Sequence, residues 1–404
     1  MPSPPGEPAA ETGTRTPARD WDRLAPWIVA GVLAIMAMLH VVRHGGDFFT
    51  YWRAAQRFLA GAPQYPAADG LGTYRYSPGV LLLLAPFTLV PLAAGRTIWF
   101  LLVVLSGAWV ARRLVRGLPS PLAGTAVLVG FLGVSRPFLD EFFYGQADWL
   151  VLALLVAALA AEDRRRDVLA GVLVALAGGL KLAPFLLAVD FALRRRWRAL
   201  GGVAAGVLAL VAAPLFTYGP AGTVGVHQEW MASLSTSAVG MVGGHLNQGI
   251  FGIVARTAGA IGAPGVLATG IAMLAAAAVV VAALSAAWPE PRRALLLFAL
   301  ALASPLGWTW NFVTAWPALA LLAASGPRAR LGVGIFGAAL LACVYDVVGP
   351  RIEDPVFRLS LPGLGFLGLF VLLRAAGRWP GSTSRPPRCS PPAGCDGSRS
   401  GRSP

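Results

Sequence analysis

Asp47 is the acidic residue that a reaction at a membrane surface is most able to use. It follows the apolar run Leu24–Val42 within a few positions and opens an amphipathic stretch. A carboxylate held at that boundary is well placed to act as a base toward a lipid-anchored substrate. Aspartate is also a favoured N-cap of helices. Position alone leaves both interpretations open.

Three cations are candidates for binding a phosphate. Lys181 is the only lysine of the chain and lies between two short apolar runs. A cation there is costly unless it is paired or solvated. It either binds a phosphate as a point charge or reaches the interface with its long side chain. Arg75 and Arg256 are alternative phosphate ligands, or else interfacial arginines.

Neutral polar and aromatic side chains supply candidates for sugar binding. Amides can donate to and accept from sugar hydroxyls, but in a glycine-rich segment they also satisfy backbone groups. Aromatic rings at the surface can stack on sugars or belong to the interfacial belt of a membrane protein. The candidates for sugar or acceptor binding are Tyr51, Tyr76, Gln146, His245, Asn247, Gln248, Trp308 and Asn311.

Composition indicates a membrane protein. Hydrophobic residues make up 56% of the chain and charged residues 13%, and the mean hydropathy is +0.65. The formal net charge is +14. However, the arginines form short clusters between apolar runs, which is typical of cytoplasmic loops. Membrane lipid is therefore expected as a partner, and nucleic acid is not.

The apolar runs predict the topology. About twelve are long enough to approach a span of roughly 20 residues, from Leu24–Val42 to Leu361–Leu373. If every arginine cluster is cytoplasmic, both termini lie inside and the candidate residues gather on the outer face. This requires Val80–Leu92 to be a surface helix in a large first extracytoplasmic loop. The runs beside Lys181 leave a bent hairpin open as an alternative to two spans.

The chain divides into one membrane domain and two tails. We predict disordered cytoplasmic tails at residues 1–23 and 377–404, and a multi-spanning domain at 24–376. The three cysteines form no disulfide or zinc pattern. Asp140 and Glu141 are interpreted as acids of a solvated loop and not as metal ligands. No glycine-rich nucleotide-binding loop follows a strand, so a nucleotide-sugar donor is not expected.

Six short motifs stand in order along the chain. They are the acid and aromatics of Asp47–Ala55, Tyr74-Arg75-Tyr76-Ser77-Pro78, Gly145-Gln146, Lys181 with Pro184, Asn247-Gln248 with Gly252 and Arg256, and Ser304-Pro305-Leu306-Gly307-Trp308. This order resembles glycosyltransferase family 87, membrane enzymes of the GT-C fold that use polyprenyl-phosphate sugars, and the resemblance covers about residues 47–316. Ser77 stands where the family usually has proline, and Thr309-Trp310-Asn311 stands where it commonly has an acid or amide followed by histidine.

The resemblance implies an all-α polytopic GT-C-type bundle and an inverting transferase. Asp47 would be the base, and the donor a polyprenyl-phosphate mannose (or another hexose). The acceptor would be an extracytoplasmic glycolipid or polysaccharide, and no cofactor or metal is expected. Three alternatives stay open, namely transfer of arabinofuranose or another pentose from the same carrier, a transporter or lipid flippase, and a scaffold that has lost activity. The composition, rich in Ala, Gly, Pro and Arg, favours a bacterial plasma membrane.

Overall fold

The computed structural model describes residues 18–41, 46–66, 74–118 and 120–376, and within these ranges the protein is all-α. Backbone polar groups in lipid must be satisfied inside the segment, which favours helices in such an apolar chain. Short 3₁₀ segments cover Pro78–Val80, Ala85–Leu89, Ala183–Phe185 and Thr309–Ala315. The helices are α1 (Ala18–Val41), α2 (Gly46–Leu59), α3 (Leu81–Leu84), α4 (Leu92–Gly117), α5 (Ala123–Tyr144), α6 (Asp148–Asp163), α7 (Asp167–Leu180), α8 (Leu186–Leu193), α9 (Trp197–Ala212), α10 (Leu215–Met241), α11 (Ile250–Ala260), α12 (Gly265–Leu284), α13 (Pro289–Leu302), α14 (Trp316–Ala324), α15 (Pro327–Ala342), α16 (Tyr345–Val348), α17 (Pro350–Arg358) and α18 (Leu361–Ala375).

Several helices can cross a membrane. In the described ranges α1, α4 and α12 are long and apolar enough to do so alone. Two bent pairs raise the number to five: α9 with α10, which meet at 92°, and α17 with α18, which meet at 49°. The all-helical membrane class is therefore confirmed, while the predicted number of twelve spans stays a prediction. The segment before α4 consists of short helical pieces in which Val80, Leu81 and Leu84 are buried, and the surface position of Val80–Leu92 stays a prediction.

The outer helices expose apolar side chains, whereas the central helices are buried. Apolar side chains on the outer helices are largely exposed, among them Met38 at 77%, Val266 at 88% and Leu274 at 75%. In contrast, every residue of α14 is buried, as is most of α13. Exposed apolar belts around a packed core are what a surrounding bilayer requires.

Small residues bring α7 and α9 into backbone contact. A Cβ on Gly171 would lie 1.9 Å from the carbonyl oxygen of Ala199, and one on Gly202 would lie 2.2 Å from that of Val168. Glycine at these positions lets the two backbones approach closely, as is common in membrane helix pairs. Because α7 ends at Leu180, this packing also fixes the position of Lys181.

The prediction of a solvated loop at Asp140 and Glu141 is wrong. Asp140 and Glu141 lie in α5 and are only 5% and 2% exposed. Arg136 explains the difference, because its guanidinium lies 3.0 Å from Asp140 and 2.7 Å from Glu353. Polar residues that look like a loop in sequence instead form a buried ionic network.

The ends of the chain are described only in part. Helix α1 begins at Ala18, within the segment 1–23 that was expected to be disordered, and Asp22 accepts a 2.7 Å hydrogen bond from the backbone of Gly124. Residues 1–17 and 377–404, with Cys389 and Cys395, lie outside the described residues.

Candidate active site

Asp47 is the second residue of α2 and is half-buried. Its Oδ2 accepts a hydrogen bond from Nε2 of Gln146. Gln146 follows the end of α5, where Gly145 adopts a left-handed conformation with φ +69° and allows the chain to reverse. The backbone N–H of Gln146 then donates to the carbonyl of Glu141 at 3.0 Å. The Gly-Gln motif therefore positions an amide on Asp47.

Opposing effects set the pKa of Asp47. Burial raises this pKa from its ordinary value of 3.8 to about 6. The positive charges of Arg75 and Lys181 and the hydrogen bond from Gln146 act in the opposite direction. A general base is most effective when its pKa lies near the working pH. A carboxylate with a pKa of about 6 meets that condition better than an exposed aspartate.

Lys181 follows α7 in an extended conformation and joins two motifs. Its Nζ lies 2.6 Å from Oδ2 of Asp148 and 3.5 Å from Oδ1 of Asn311. An ammonium has three N–H bonds, and contacts with the described residues use two of them, which leaves the third for a ligand such as a phosphate. The side chain is 18% exposed, which leaves access from outside.

Two acids of this cluster were missed from the sequence. Asp148 begins α6 and is 2% exposed, and Glu141 is buried beside Asp148 and Lys181. A signal existed, because Asp148 stands two residues after Gln146 at the same end of α6. An aspartate in the first turn of a helix is favourable to the helix dipole, so its position alone does not indicate the pairing with Lys181.

Tyr51 lies one turn after Asp47 in α2, and its hydroxyl group pairs with that of Tyr76. Their hydroxyl groups are 2.7 Å apart, and the side chains are 4% and 9% exposed. The pKa of each hydroxyl is raised well above its ordinary value, first by burial and also by the charge of Asp47. The pair therefore stays protonated and supports α2, whereas contact with a sugar stays a prediction.

Trp308 offers an aromatic surface three residues before Asn311, the residue whose side chain contacts Lys181. Its ring is half-buried and stacks on Trp310, with centroids 5.3 Å apart and planes 15° apart. The backbone N–H of Asn311 donates to the carbonyl of Trp308 at 3.0 Å. Trp308, the end of the last predicted motif, is therefore linked to Lys181 through Asn311.

Asn247 and Gln248 hold backbone segments together. Both are fully buried. Asn247 Nδ2 donates to the carbonyls of Val242 and Pro305, each at 2.9 Å. Gln248 Nε2 donates to the carbonyl of Phe357 at 2.9 Å, and its Oε1 accepts from a backbone N–H of α18. The geometry favours the alternative in which these amides satisfy backbone groups over sugar binding.

His245 and Arg256 lie in a second region. They line a cavity of about 400 Å³ with Gly243, Gly244 and Arg358. Arg256 donates to Oγ of Ser360 and to the carbonyl of Gly244. Neither partner belongs to the surroundings of Asp47, so the structure does not bring Arg256 together with Arg75 and Lys181.

Comparison with known proteins decides the class. The model of glycosyltransferase family 87 matches residues 74–306, more than half of the chain. This protein belongs to glycosyltransferase family 87. The matched range holds Lys181 and Gln146, while Asp47 and Asn311 lie outside it. Membership confirms the predicted resemblance and favours a membrane glycosyltransferase over the transporter alternative.

One relative of this family 87 enzyme has an assigned activity. The chain is 29% identical over 346 residues to the polyprenol-phosphate-mannose-dependent alpha-(1-2)-phosphatidylinositol pentamannoside mannosyltransferase of Mycolicibacterium smegmatis. The alignment covers 79% of this chain and 80% of that protein. No solved structure matches the chain.

A metal site is not evident in the described part of this family 87 enzyme. Those residues contain no group of three or more His, Cys, Asp or Glu side chains arranged to hold an ion. Independence of metals and cofactors stays a prediction.

Proposed function

We propose that this enzyme transfers a mannosyl residue, or another hexosyl residue, from a polyprenyl-phosphate donor to a hydroxyl of an extracytoplasmic glycolipid or polysaccharide. The observation that carries the proposal is Asp47, a carboxylate with a pKa of about 6 beside the cations Arg75 and Lys181. The name of the mycobacterial relative supports mannose as the sugar and a polyprenyl phosphate as its carrier.

The chemistry is a single displacement. The acceptor hydroxyl oxygen attacks the anomeric carbon while the bond from that carbon to the phosphate oxygen breaks. The hydroxyl proton passes to Asp47, and the polyprenyl phosphate leaves with the electron pair of the broken bond. One displacement inverts the anomeric configuration, so a single base suffices, unlike glycoside hydrolysis with its two carboxylates.

Positive charge serves the leaving group. A departing phosphate is already a good leaving group and needs no proton, but its developing charge is stabilised by nearby cations. Lys181 has one N–H bond beyond those directed to Asp148 and Asn311. Arg75 interacts electrostatically with the same carboxylate, Asp47. We assign the donor phosphate to these two cations.

The proposed topology places this site outside the plasma membrane, with twelve spans and both termini in the cytoplasm. Helix α6 supports it, because Asp148 of the candidate site begins α6 and Asp163 ends it. Asp163 pairs with Arg113 and with Arg293 at 2.7 Å. Basic residues therefore concentrate at the end of α6 away from Asp47, as they do on cytoplasmic faces.

Transfer assays test the proposal directly. The full-length enzyme in vesicles is given polyprenyl-phosphate mannose or polyprenyl-phosphate arabinose, with a panel of glycolipid acceptors, beside Asp47→Asn and Asp47→Ala. We expect mannose transfer with inversion, lost in both variants while their thermal unfolding remains cooperative. Transfer of arabinose alone would correct the donor. Transfer that survives both substitutions would remove Asp47 from the mechanism, and no transfer by the wild type would reject the function.

A further inference from the structure

The basic side chains near the candidate site form two groups with different surroundings. The charges of Arg75 and Lys181 lower the pKa of the Asp47 carboxyl. Arg256 lies instead with His245 and Arg358 around a cavity of about 400 Å³, which we call the Arg256 cavity. A donor phosphate is bonded to the anomeric carbon and must lie beside Asp47, so the first group is the one suited to it.

The Arg256 cavity has the chemistry of an anion site. Its five lining residues are two arginines, one histidine and two glycines, with no carboxylate among them. A guanidinium forms paired hydrogen bonds with a phosphate in a fixed planar geometry. The glycines at positions 243 and 244 add no side chain that would keep a ligand from the backbone.

Arg256 is held in position before any ligand binds. Its Nε and Nη2 donate to Oγ of Ser360 at 3.0 and 2.7 Å, and its Nη1 donates to the carbonyl of Gly244 at 2.6 Å. A guanidinium has five N–H bonds, and the contacts among the described residues use three of them, which leaves two for a ligand. Ser360 is buried with φ +62°, a conformation uncommon for residues other than glycine. The fold therefore maintains this contact at the cost of local strain.

The cavity adjoins the aromatic surface that leads to Lys181. A Cβ on Gly244 would lie 3.7 Å from the ring of Trp308. The backbone of Trp308 accepts a hydrogen bond from Asn311, whose side chain contacts Lys181. The contacts Gly244–Trp308 and Asn311–Lys181 therefore connect the Arg256 cavity with the residues around Lys181.

We propose that the Arg256 cavity binds the phosphate of a phosphate-containing glycolipid acceptor. The assignment rests on the transferase function proposed above and adds a substrate class to it. Arg256 and Arg358 contact the acceptor phosphate, and Arg75 and Lys181 are left to the donor. Neutral sugar acceptors use only the surface at Trp308 and bind more weakly.

Acceptor selectivity is the test. The full-length enzyme in phosphatidylcholine vesicles receives polyprenyl-phosphate mannose and either a phosphatidylinositol mannoside or neutral octyl mannoside. In Arg358→Gln and Arg256→Gln we expect the ratio of kcat/KM for the phosphate acceptor to that for the neutral one to fall about tenfold, the loss for one charge-assisted hydrogen bond. Arg351→Gln is the matched control, because Arg351 is an exposed arginine of the same helix, α17, that does not line the cavity.

Other outcomes overturn the assignment. An unchanged ratio in Arg358→Gln and Arg256→Gln removes the acceptor phosphate from the cavity. A rise in the donor KM instead assigns these arginines to the donor. Phosphatidylglycerol added to the vesicles gives a third outcome. If it lowers the kcat/KM ratio of the wild type until that ratio equals the ratio of the variants, the cavity takes the headgroup of a bulk anionic lipid.

A binding measurement separates this proposal from the transferase function. Glycerophosphoinositol and uncharged inositol are titrated against the protein, with the tryptophan fluorescence as the signal because Trp308 adjoins the cavity. We expect saturable change with the phosphodiester alone, weakened in Arg358→Gln and kept in Arg351→Gln. Binding without any sugar transfer would reject the enzyme function but keep the anion site. Sugar transfer without this binding would reject the anion site but keep the enzyme function.

Discussion

Replacing Asp47 by asparagine should lower activity strongly and stabilise the fold above pH 6. The pKa of this carboxyl is about 6 against an ordinary 3.8, and burial is the main cause. At about 1.4 kcal/mol per pKa unit, the difference corresponds to about 3 kcal/mol. The folded state holds the proton more tightly than the unfolded state. The cost is therefore absent below the ordinary pKa and complete above the raised one.

Asparagine removes that cost while keeping the shape of the side chain. Its carbonyl oxygen can still accept from Gln146, the partner of Asp47 in the wild type. The loss of a general base lowers the rate by about 10²- to 10⁴-fold. We therefore expect kcat/KM of the wild type to rise with pH through an apparent pKa near 6. The residual rate of the variant should lack this rise.

Two measurements across pH 4 to 8 examine both halves of the prediction. Initial rates give the pH profile, and thermal unfolding in detergent gives the difference in Tm between variant and wild type. That difference should grow from near zero at the acidic end and level off above pH 6. Asp20→Asn is the control, since Asp20 is an exposed aspartate in the first turn of α1. It should move neither quantity.

Several outcomes would refute this reasoning. A Tm difference that stays flat from pH 4 to 8 would mean that burial does not destabilise the charged form of Asp47. A rate profile with the same acidic limb in the asparagine variant would assign the limb to another group. In Lys181→Met the acidic limb of the kcat/KM profile should lie at higher pH than in the wild type, because the charge of Lys181 lowers the pKa of Asp47. A limb that moves down would contradict the assigned electrostatics.

Four substitutions test the supporting structure. Lys181→Met should destabilise the fold by about 3–5 kcal/mol because the buried charge of Asp148 loses its partner. Asp148→Asn should destabilise it less because Lys181 is partly exposed, and the double variant should recover much of the loss of Lys181→Met in thermal unfolding. Gln248→Leu should lower Tm, since the fully buried amide satisfies backbone groups at about 1–3 kcal/mol each. Gly307→Ala should reduce the yield of folded protein, because its Cβ would lie 2.4 Å from the carbonyl oxygen of Ala301.

The sequence could predict those contacts that the order of motifs implies. Gln146 and Asp47 are 99 positions apart and form a hydrogen bond, and Lys181 and Asn311 are 130 positions apart and lie in contact. Neither pair follows from local periodicity. The residues could be grouped as candidates from the sequence because Asp47, Gln146 and Lys181 occupy motif positions of the same family and Asn311 follows the last motif.

Other features depended on information that a single sequence does not contain. Gln248 turns its amide to the backbone of Phe357, 109 positions away, because α17 happens to pack there. Arg136 meets Glu353 across 217 positions, which buries acids that otherwise resemble a loop. The direction of a side chain depends on the packing of distant helices, whereas composition reports only their apolar character. This is also why helix number was harder to predict than helical class.

The two functions assigned to this cluster make opposite electrostatic demands, and binding of the donor can reconcile them. A base needs a high pKa, whereas a phosphate site needs cations, and Arg75 and Lys181 lower the pKa of Asp47. A bound donor phosphate offsets part of that positive charge and adds a negative one, so it raises the pKa of Asp47 further. The limb in kcat, which reports the bound complex, should therefore lie at higher pH than the limb in kcat/KM, which reports the free enzyme. Rate profiles at saturating and at low donor concentration measure both, and coincident limbs would place the donor phosphate away from these cations.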